Sequence, residues 1–335
     1  MREPRFWARD VDPKSREAAP LLRVLLTPLA WVYADATRRR LKRTQPVRIS
    51  AHVICVGNLT AGGVGKSPVV AALRERIAQS YGSRTATLSR GYKGKLKGPL
   101  KVDLSIHDAS DVGDEPLMLA ASGEAWIGAD RAAAGIAMSA DGVEVIIMDD
   151  GHQNPGLHKD CSLIVVDSEA GFGNGFVIPK GPLREPALVG LKRADALMLM
   201  GDSAPPIEIT ESALPIVRGT IVAKARPPNH PYVAFAGIGR PEKFFDTLKS
   251  LEVDIRDAVP FADHHAFTDG DLTYLRRLAT DNQARLITTE KDYARLPVDQ
   301  RLDIETLPIE IQFDDLATLD KLLKDVIKPA AHGKD

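Results

Sequence analysis

Thr60-Ala61-Gly62-Gly63-Val64-Gly65-Lys66-Ser67 is the stretch of this chain that decides its fold, and it follows the apolar run Val53-Ile54-Cys55-Val56. A strand that ends in a glycine-rich turn and then opens a helix is the setting of a phosphate-binding loop. Glycines let successive backbone N–H groups converge on phosphate oxygens, and the next helix adds its positive N-terminal end. The stretch therefore predicts an α/β fold with a site for a nucleoside triphosphate.

Every residue of this loop is a candidate ligand of the nucleotide. Lys66 would reach the β- and γ-phosphates, and the Ser67 hydroxyl would bind Mg²⁺. Thr60 departs from the usual pattern, because it stands where the first glycine of such loops is usually found. The alternative interpretation is a glycine-rich surface turn with an incidental lysine. We predict that the nucleotide is bound by Thr60, Ala61, Gly62, Gly63, Val64, Gly65, Lys66 and Ser67.

A second strand supplies the acidic group that a phosphate-binding loop requires. Residues 143–148 are mostly apolar, which is typical of a central parallel strand that is buried on both faces. The run ends in Asp149-Asp150-Gly151. A carboxylate at this position can hold Mg²⁺ opposite Ser67. Asp149 is the better candidate metal ligand, because it follows the apolar run directly.

Length and composition fit a soluble two-domain enzyme. The chain has 335 residues, of which 44% are hydrophobic and 27% are charged, as in ordinary globular proteins with room for two cores. The net charge of −1 gives no support to nucleic-acid binding. The two cysteines, Cys55 and Cys161, lie in or beside apolar runs. They predict buried thiols in a reducing compartment, without a disulfide or a cysteine zinc site.

Apolar strands alternate with helical stretches along the chain, which predicts a mostly parallel sheet followed by a second, smaller α/β domain. In the first part we predict a helix over 67–80 and strands near 52–57, 84–89, 124–127, 143–148, 162–167 and 195–200. In the second part we predict strands at 232–236, 284–289 and 307–312 and helices at 241–251, 269–281 and 315–327. The predicted boundaries are an N-terminal segment 1–45, a phosphate-binding domain 46–205, a proline-rich linker 206–230 and a C-terminal domain 231–335. The linker carries a strand-like piece over 219–223.

The N-terminal segment differs in character from the rest of the chain. Residues 21–33 are strongly apolar, but Arg23 and Pro28 interrupt a run that is shorter than the roughly 20 residues of a membrane span. A basic cluster follows, with Arg38, Arg39, Arg40, Lys42 and Arg43. A cleavable signal carries its basic residues before its apolar core, which is the opposite order. We predict an interfacial helix with Trp31 and Tyr33 at the lipid headgroups; the alternative is a helix packed on the protein's own core.

Two polar clusters are further candidates for chemistry. Gly113-Asp114-Glu115-Pro116 precedes a short helical stretch. Asp114 there can cap the helix, and beside a phosphate-binding loop it can also accept a proton from an attacking hydroxyl. Asp263-His264-His265 has three interpretations. It can be polar loop surface, part of a metal site of the DHH phosphoesterase type, or a group that tunes an acid or base across a domain cleft.

The chain also carries, in order, a series of short motifs whose combination is far more specific than any one of them. They are Phe6-Trp7, Gly57-Asn58-Leu59 with the loop that follows, Ser89-Arg90-Gly91-Tyr92, Gly113-Asp114-Glu115-Pro116, Asp149-Asp150-Gly151-His152-Gln153, Phe172-Gly173-Asn174-Gly175, Gly181-Pro182-Leu183-Arg184-Glu185-Pro186, Gly237-Ile238-Gly239-Arg240-Pro241, Asp263-His264-His265-Ala266-Phe267 and Thr288-Thr289-Glu290-Lys291-Asp292. In this combination the chain resembles the tetraacyldisaccharide 4′-kinases, the lipid A 4′-kinases of Gram-negative bacteria. Two positions depart from the family pattern: His152 replaces a larger apolar residue, and Lys180 replaces an alanine.

The resemblance implies roles for several side chains. Asp114 matches the catalytic base of the family, and His264 matches its partner. Glu115 and Asp149 match acidic positions associated with Mg²⁺, beside Ser67 of the loop. A threonine at the first loop position is ordinary in this family.

The resemblance also implies a substrate and a location. Arg131 and Arg184 match basic positions suited to the substrate's phosphate or sugar. The reaction would transfer the γ-phosphate of ATP, with Mg²⁺, to the 4′-hydroxyl of the tetraacyldisaccharide 1-phosphate precursor of lipid A, giving lipid IVA. The enzyme would lie peripherally on the cytoplasmic face of the inner membrane. We expect no nucleic-acid partner and no obligate protein partner.

Two other functions remain open from the sequence. The core of the loop, Gly62 to Ser67, also resembles the ParA/MinD group of switch-like ATPases. Those proteins carry a signature lysine where Ala61 stands, and they bind membranes through a C-terminal helix. A P-loop kinase of a soluble metabolite is the third interpretation, which leaves the N-terminal segment unexplained. Transfer of phosphate from ATP to a disaccharide lipid would distinguish them.

Overall fold

The computed structural model describes residues 4–12 and 14–327. The outermost parts of the predicted terminal segments, residues 1–3 and 328–335, lie outside the described residues.

Strands and helices alternate along most of the chain. The strands are β1 (His52–Gly57), β2 (Thr85–Ser89), β3 (Leu100–Lys101), β4 (Ala125–Ile127), β5 (Val145–Asp149), β6 (Cys161–Asp167), β7 (Ala196–Met200), β8 (Ile216–Ala223), β9 (Tyr232–Ala236), β10 (Ile255–Pro260), β11 (Arg285–Thr289), β12 (Ile304–Leu307) and β13 (Ile309–Phe313). The α-helices are α1 (Pro20–Arg43), α2 (Lys66–Tyr81), α3 (Ala109–Val112), α4 (Asp114–Ala121), α5 (Arg131–Ala140), α6 (Ala187–Leu191), α7 (Ile207–Thr210), α8 (Pro241–Ser250), α9 (Asp269–Asp281), α10 (Glu290–Arg295) and α11 (Leu316–Val326). Short 3₁₀ turns cover Arg5–Trp7, Arg16–Ala18 and Val298–Gln300.

Two sheets organise the described residues. The larger sheet has the order β13-β8-β7-β6-β1-β5-β2-β4-β3, and the smaller has the order β10-β9-β11-β12. In this order every pair of neighbours from β8 through β4 is parallel, and the antiparallel pairs are β13 with β8 at one edge and β3 with β4 at the other. In this order β1 lies between β5 and β6, with Val56 opposite Asp149. The carboxyl ends of β1 and β5 therefore meet at one edge of the sheet.

The large sheet is covered on both faces, as a parallel sheet requires. Ile54 and Val56 of β1 pack with Leu73 and Ile77 of α2 on one face. Val53 on the opposite face packs in a second cluster, with residues of α5. Both cysteines of the chain lie within the described residues and are buried and free, which confirms the prediction of buried thiols without a disulfide.

The predicted domain boundaries differ from the structure in two places. The predicted linker 206–230 contains β8, which pairs with β7 in the large sheet. The predicted strand 307–312 is two strands on different sheets, because β12 pairs with β11 whereas β13 pairs with β8. Pro308 separates them, since a proline has no N–H with which to continue a ladder. Residues 224–308 are thus inserted between two neighbouring strands of the large sheet, and α11 returns to its core through Leu319 and Leu323.

Helix α1 is longer than the predicted apolar stretch, because it continues through the basic cluster to Arg43. Of the residues that the structure describes in α1, Ala30 and Thr37 are the buried ones. Apolar side chains on the helix are left in solvent, among them Leu21 at 82% and Trp31 at 73% exposure. Among the described residues, no helix is both long and apolar enough to cross a membrane.

Candidate active site

The glycine-rich loop joins β1 to α2 at the carboxyl edge of the large sheet. Gly62 and Gly65 have positive φ angles of 108° and 82°, which a residue with a Cβ rarely adopts. These turns direct the chain into α2, whose first residue is Lys66. The loop prediction is therefore confirmed as local structure: a strand, a tight turn that needs glycine, and a helix N-terminus.

Thr60 fits the loop because its backbone is extended there. It forms an antiparallel bridge to Leu183, and the N–H of Ala61 donates to Pro182 O at 2.7 Å. The Asn58 side-chain amide donates to Thr60 O at 2.8 Å. No left-handed conformation is needed at this position, so a residue other than glycine is accommodated.

Lys66 is partnered in this structure. Its Nζ lies 3.6 Å from Asp150 Oδ1, and Arg184 Nη1 donates to the same carboxylate at 2.8 and 2.9 Å. Burial opposes ionisation of Asp150, but the charges of Lys66 and Arg184 outweigh it and lower its pKa. Arg184 thus contacts the residue next to the predicted metal ligand, and both side chains line the cleft above the loop.

Asp149 ends β5 beside the loop and has an unused acceptor. Its side chain is buried, and Oδ1 has no hydrogen-bond partner among the described residues. Burial, together with the negative charge of Glu115, raises its pKa above the usual range. Such a carboxylate is stabilised by a cation. Ser67 is buried at the start of α2 and lines the same cleft.

The site fits Mg²⁺ in the manner of nucleotide enzymes. Among the described residues, no group of three or more His, Cys, Asp or Glu side chains is arranged to hold a metal. Mg²⁺ at phosphate-transfer sites is commonly held by one or two carboxylates together with substrate phosphates and water. The unpaired Asp149 oxygen fits that mode. Glu115 is ion-paired to Lys291 Nζ at 3.1 Å.

Asp114 and His264, which are 150 residues apart in sequence, are in contact. His264 Nδ1 lies 2.8 Å from Asp114 Oδ2. Burial opposes ionisation of Asp114, but the His264 hydrogen bond and the charges of Arg295 and Lys291 hold its pKa well below the usual range. The alternative of Asp114 as a helix cap is wrong, because Gly113 holds the N-cap position and α4 begins at Asp114.

The two histidines of the Asp263-His264-His265 cluster have different environments. His265 Nε2 lies 3.0 Å from Asp271 Oδ2, within the capping box that begins α9. His264 instead contacts Asp114, the first residue of α4. The interpretation of this cluster as wholly polar surface is therefore wrong.

Arg131 is buried at the start of α5 and lines the same cleft. Its Nη1 donates to Gly128 O, and its Nε has no partner among the described residues. Burial lowers its pKa to about 10, although the charge of Asp149 acts in the opposite direction. Arg131 therefore remains charged at neutral pH and lies on the Asp149 side of the site.

One cleft of about 2140 Å³ brings the candidate site residues together; it is lined by Lys66, Ser67, Asp114, Glu115, Arg131, Asp149, Asp150, Arg184 and His264. It is lined by the loop, by the ends of β5 and β6, by α4, by the inserted unit and by Tyr33, Thr37 and Arg40 of α1. Sequence reasoning missed two cations of the inserted unit, Lys291 and Arg295, which contact Glu115 and Asp114. Their signal was present in the sequence, because the residues are four apart on α10 and so share one helix face.

A phosphate-binding loop, a neighbouring acidic strand end and an aspartate–histidine pair thus open into one cleft on an α/β fold. Together they define a P-loop phosphotransferase. Residues 22–328 match the family model described as Tetraacyldisaccharide-1-P 4'-kinase. The chain belongs to the tetraacyldisaccharide 4′-kinase family, as its motifs predicted.

Relatives agree with this assignment over nearly the full length. The chain is 56% identical over 330 residues to tetraacyldisaccharide 4′-kinase of Hyphomonas neptunium, covering 98% of this chain and 99% of the relative. It is 48% identical to that of Rhodospirillum centenum, covering 100% and 98%. A crystal structure of "apo" form LpxK from Aquifex aeolicus in complex with ATP has a TM-score of 0.72 and 25% identity, covering 91% of this chain and 99% of that one. The predicted fold class and kinase class are confirmed, and the ParA/MinD-like and soluble-metabolite alternatives are set aside.

Proposed function

We propose that this enzyme transfers the γ-phosphoryl group of ATP to the 4′-hydroxyl of a tetraacyldisaccharide 1-phosphate, giving lipid IVA. The observation that carries the proposal is the contact of Asp114 with His264 in the cleft that also contains Lys66. A phosphate-binding loop alone would serve many ATPases. A buried, ionised carboxylate facing the same cleft from α4 adds a proton acceptor for a hydroxyl nucleophile.

The loop would bind the triphosphate through the backbone N–H groups of residues 60–67 and the N-terminus of α2. Lys66 would exchange its 3.6 Å contact with Asp150 for the more highly charged β- and γ-phosphates. Ser67 and Asp149, with Glu115 nearby, would hold Mg²⁺, which neutralises charge that develops on the transferred group. The unpaired oxygen of buried Asp149 supports this assignment.

Asp114 would accept the proton of the attacking hydroxyl at Oδ1, because His264 and Arg295 contact Oδ2. Its lowered pKa keeps the carboxylate ionised at neutral pH, which is the form that a base needs. Because catalysis of phosphoryl transfer depends mainly on positioning, the placement of the proton acceptor matters more than its basicity. His264 would orient this carboxylate through its 2.8 Å contact. Arg131 and Arg184 would bind the sugar or phosphate of the lipid.

Helix α1 would hold the enzyme peripherally on the cytoplasmic face of the inner membrane. Its exposed apolar side chains, including Leu25, Leu29 and Val32, would insert among the acyl chains, and the basic cluster at its end would face anionic headgroups. Tyr33, Thr37 and Arg40 of α1 line the active-site cleft. A disaccharide headgroup could therefore reach Asp114 while its acyl chains stay in the membrane.

The experiment is transfer of ³²P from γ-labelled ATP to tetraacyldisaccharide 1-phosphate in mixed micelles. Lys66→Ala and Ser67→Ala should each lower kcat/KM by orders of magnitude with an unchanged melting temperature, because they remove a phosphate contact and a metal ligand. Lys101→Ala is the matched control, since that lysine is exposed and pairs with Glu124. Release of inorganic phosphate without a labelled lipid, or near-normal turnover of Lys66→Ala, would contradict the proposal.

A further inference from the structure

Arg295 joins α10 of the inserted unit directly to the candidate base. Its side chain is 6% exposed, and its Nε donates to Asp114 Oδ2 at 2.7 Å. The contact spans 181 residues of sequence. Asp114 therefore receives two partners from the inserted unit, His264 and Arg295, through the same carboxylate oxygen.

Arg295 also holds the turn that carries His264. Its Nη1 donates to Gly237 O at 2.8 Å, and the backbone N–H of His264 donates to the same carbonyl at 3.0 Å. His264 has a φ angle of 57°, an unfavourable conformation for a residue that is not glycine. Such a conformation persists only where the surrounding contacts determine it.

Asp292 fixes the guanidinium in this position. Arg295 Nη1 lies 2.7 Å from Asp292 Oδ1, and Asp292 Oδ2 accepts hydrogen bonds from Gly237 N at 3.0 Å and Thr289 Oγ1 at 2.7 Å. Asp292 is fully buried. The Arg295 guanidinium and the backbone of Gly237 thus both bind the Asp292 carboxylate, which fixes their relative position.

We propose that Arg295 is a positioning residue of the phosphoryl transfer, holding the Asp114 carboxylate and the His264 turn in register with one guanidinium. The inference rests on the proposed roles of Asp114 and His264. A planar guanidinium can donate in two directions at once, whereas the single ammonium of a lysine cannot span both acceptors in the same geometry. Arg295 does not touch the reacting atoms; it acts through Asp114 and His264.

The first test compares Arg295→Met with Arg301→Met. Arg301 belongs to the same unit and donates to Leu296 O and Ala294 O, without contact to Asp114. Arg295→Met should lower kcat roughly 10- to 100-fold, the scale of a misplaced catalytic group, while KM for ATP stays within about twofold. Arg301→Met should leave kcat near the wild-type value. An unchanged kcat for a folded Arg295→Met, or an equal loss in both variants, overturns the proposal.

The second test is a double-mutant cycle with His264→Ala. If Arg295 acts through the pair, adding Arg295→Met to His264→Ala should cost much less than it costs in the wild type, about threefold or below. If Arg295 had only a structural role, the kcat losses of Arg295→Met and His264→Ala would multiply in the double variant. That result overturns the proposal.

Arg295→Lys serves as the second variant if the methionine variant does not fold. It should keep a wild-type melting temperature and lower kcat severalfold, because one of the two contacts is lost; a wild-type kcat contradicts the proposal. The Asp114 variants separate this inference from the proposed function. If Asp114→Asn stays active, the proposed base fails; if Asp114→Asn is inactive and Arg295→Met is fully active, only the positioning role fails.

Discussion

Among single residues, two buried aspartates illustrate how surroundings decide what a carboxylate can do. Burial and the nearby negative charge of Glu115 raise the pKa of Asp149. Its Oδ1 has no hydrogen-bond partner among the described residues. Asp114 is also buried, yet His264 and Arg295 lower its pKa. The first therefore suits a cation and the second suits a proton acceptor that is ionised at neutral pH.

Replacing the candidate base should separate chemistry from binding. Asp114→Asn keeps the shape of the side chain but removes its charge, so kcat should fall by orders of magnitude while ATP still binds. His264→Ala should cost less and should change the pH–rate profile. Kinase assays over a range of pH measure kcat and the pH–rate profile, and isothermal titration with an ATP analogue measures nucleotide binding. The control is Asp111→Ala, which removes a capping-box carboxylate of the neighbouring helix; loss of ATP binding in Asp114→Asn would contradict the assignment.

His152 should make stability depend on pH. Burial, with the nearby Arg193 charge, lowers its pKa to about 4, against about 6.5 in the unfolded chain. As the pH falls through 6.5, the unfolded state binds a proton that the folded state does not, so the free energy of unfolding falls by about 2 kcal/mol at pH 5.

Urea unfolding of the wild type and His152→Leu at pH 7 and pH 5 tests this expectation. The difference between the two pH values should shrink in His152→Leu, since the titrating group is gone. His158→Leu removes a histidine that is 27% exposed and checks whether loss of any histidine gives the same result. Equal pH dependence in His152→Leu and the wild type would rule out His152 as the cause.

Among the elements, α1 is the one whose surface does not match a helix packed on a core. Its apolar side chains are mostly exposed, and it touches the rest of the protein at a few points, such as Thr27 Oγ1 to Lys180 Nζ at 3.0 Å. Lys180 also lies 4.1 Å from the centre of the Phe176 ring. The alternative of a docked helix would bury these apolar side chains, and it does not describe what is seen.

Removing the basic charges of α1 should weaken membrane binding. Arg38, Arg39, Lys42 and Arg43 are exposed, and each would contribute roughly 1 kcal/mol on anionic lipid. Arg40 is left unchanged, because it donates to Gln153 O and lines the cleft. The four-fold glutamine variant should sediment less with anionic vesicles and lose its sensitivity to salt, at an unchanged melting temperature.

A matched variant carries glutamine at four exposed basic positions of the inserted unit: Lys249, Arg256, Arg277 and Arg285. It has the same change in net charge, so it should sediment like the wild type. If both variants bind vesicles equally, α1 is not the membrane contact.

At the scale of the whole molecule, the inserted unit joins the large sheet through β8 and β13. Ala223 lies opposite Ile309 in this antiparallel pair, and Lys224 N donates to Pro308 O at 2.9 Å. Ion pairs also link the units away from Asp114, since Asp167 at the end of β6 accepts from Arg240 at 2.9 Å and from Lys243 at 3.0 Å.

Two deletions should therefore behave in opposite ways. Replacing residues 224–308 by Asn-Gly joins Ala223 to Ile309 with a two-residue hairpin turn. This protein should fold and bind an ATP analogue but should not phosphorylate lipid, because His264 and Arg295 are gone. A chain cut after residue 230 loses β13 and the Leu319 and Leu323 side chains of the core, and it should not fold.

Circular dichroism melting and ATP-analogue titration of the two proteins measure this difference. A cooperative transition in the cut chain, with none in the hairpin-joined protein, would restore the predicted boundary at 206–230.

The sequence alone determined those parts of this protein that depend on neighbouring residues. The phosphate-binding loop is defined by local features: the apolar run of β1, the glycines that need positive φ and the helix that begins at Lys66. Both this loop and the acidic end of β5 could therefore be recognised from the sequence. Helix α9 was predicted with the bounds that the structure has, because its caps and apolar spacing lie within the segment.

Only the tertiary structure decided which distant groups meet. The split of 307–312 between two sheets depends on where β8 and β11 lie, and no periodicity within the segment encodes that. In the same way, the local sequence around Asp114 is compatible with a helix cap or a catalytic base. Its role depends on His264 and Arg295, which arrive from 150 and 181 residues away because the inserted unit closes over α4. Local pattern fixes conformation, whereas burial and charge at the cleft arise only when the two units come together.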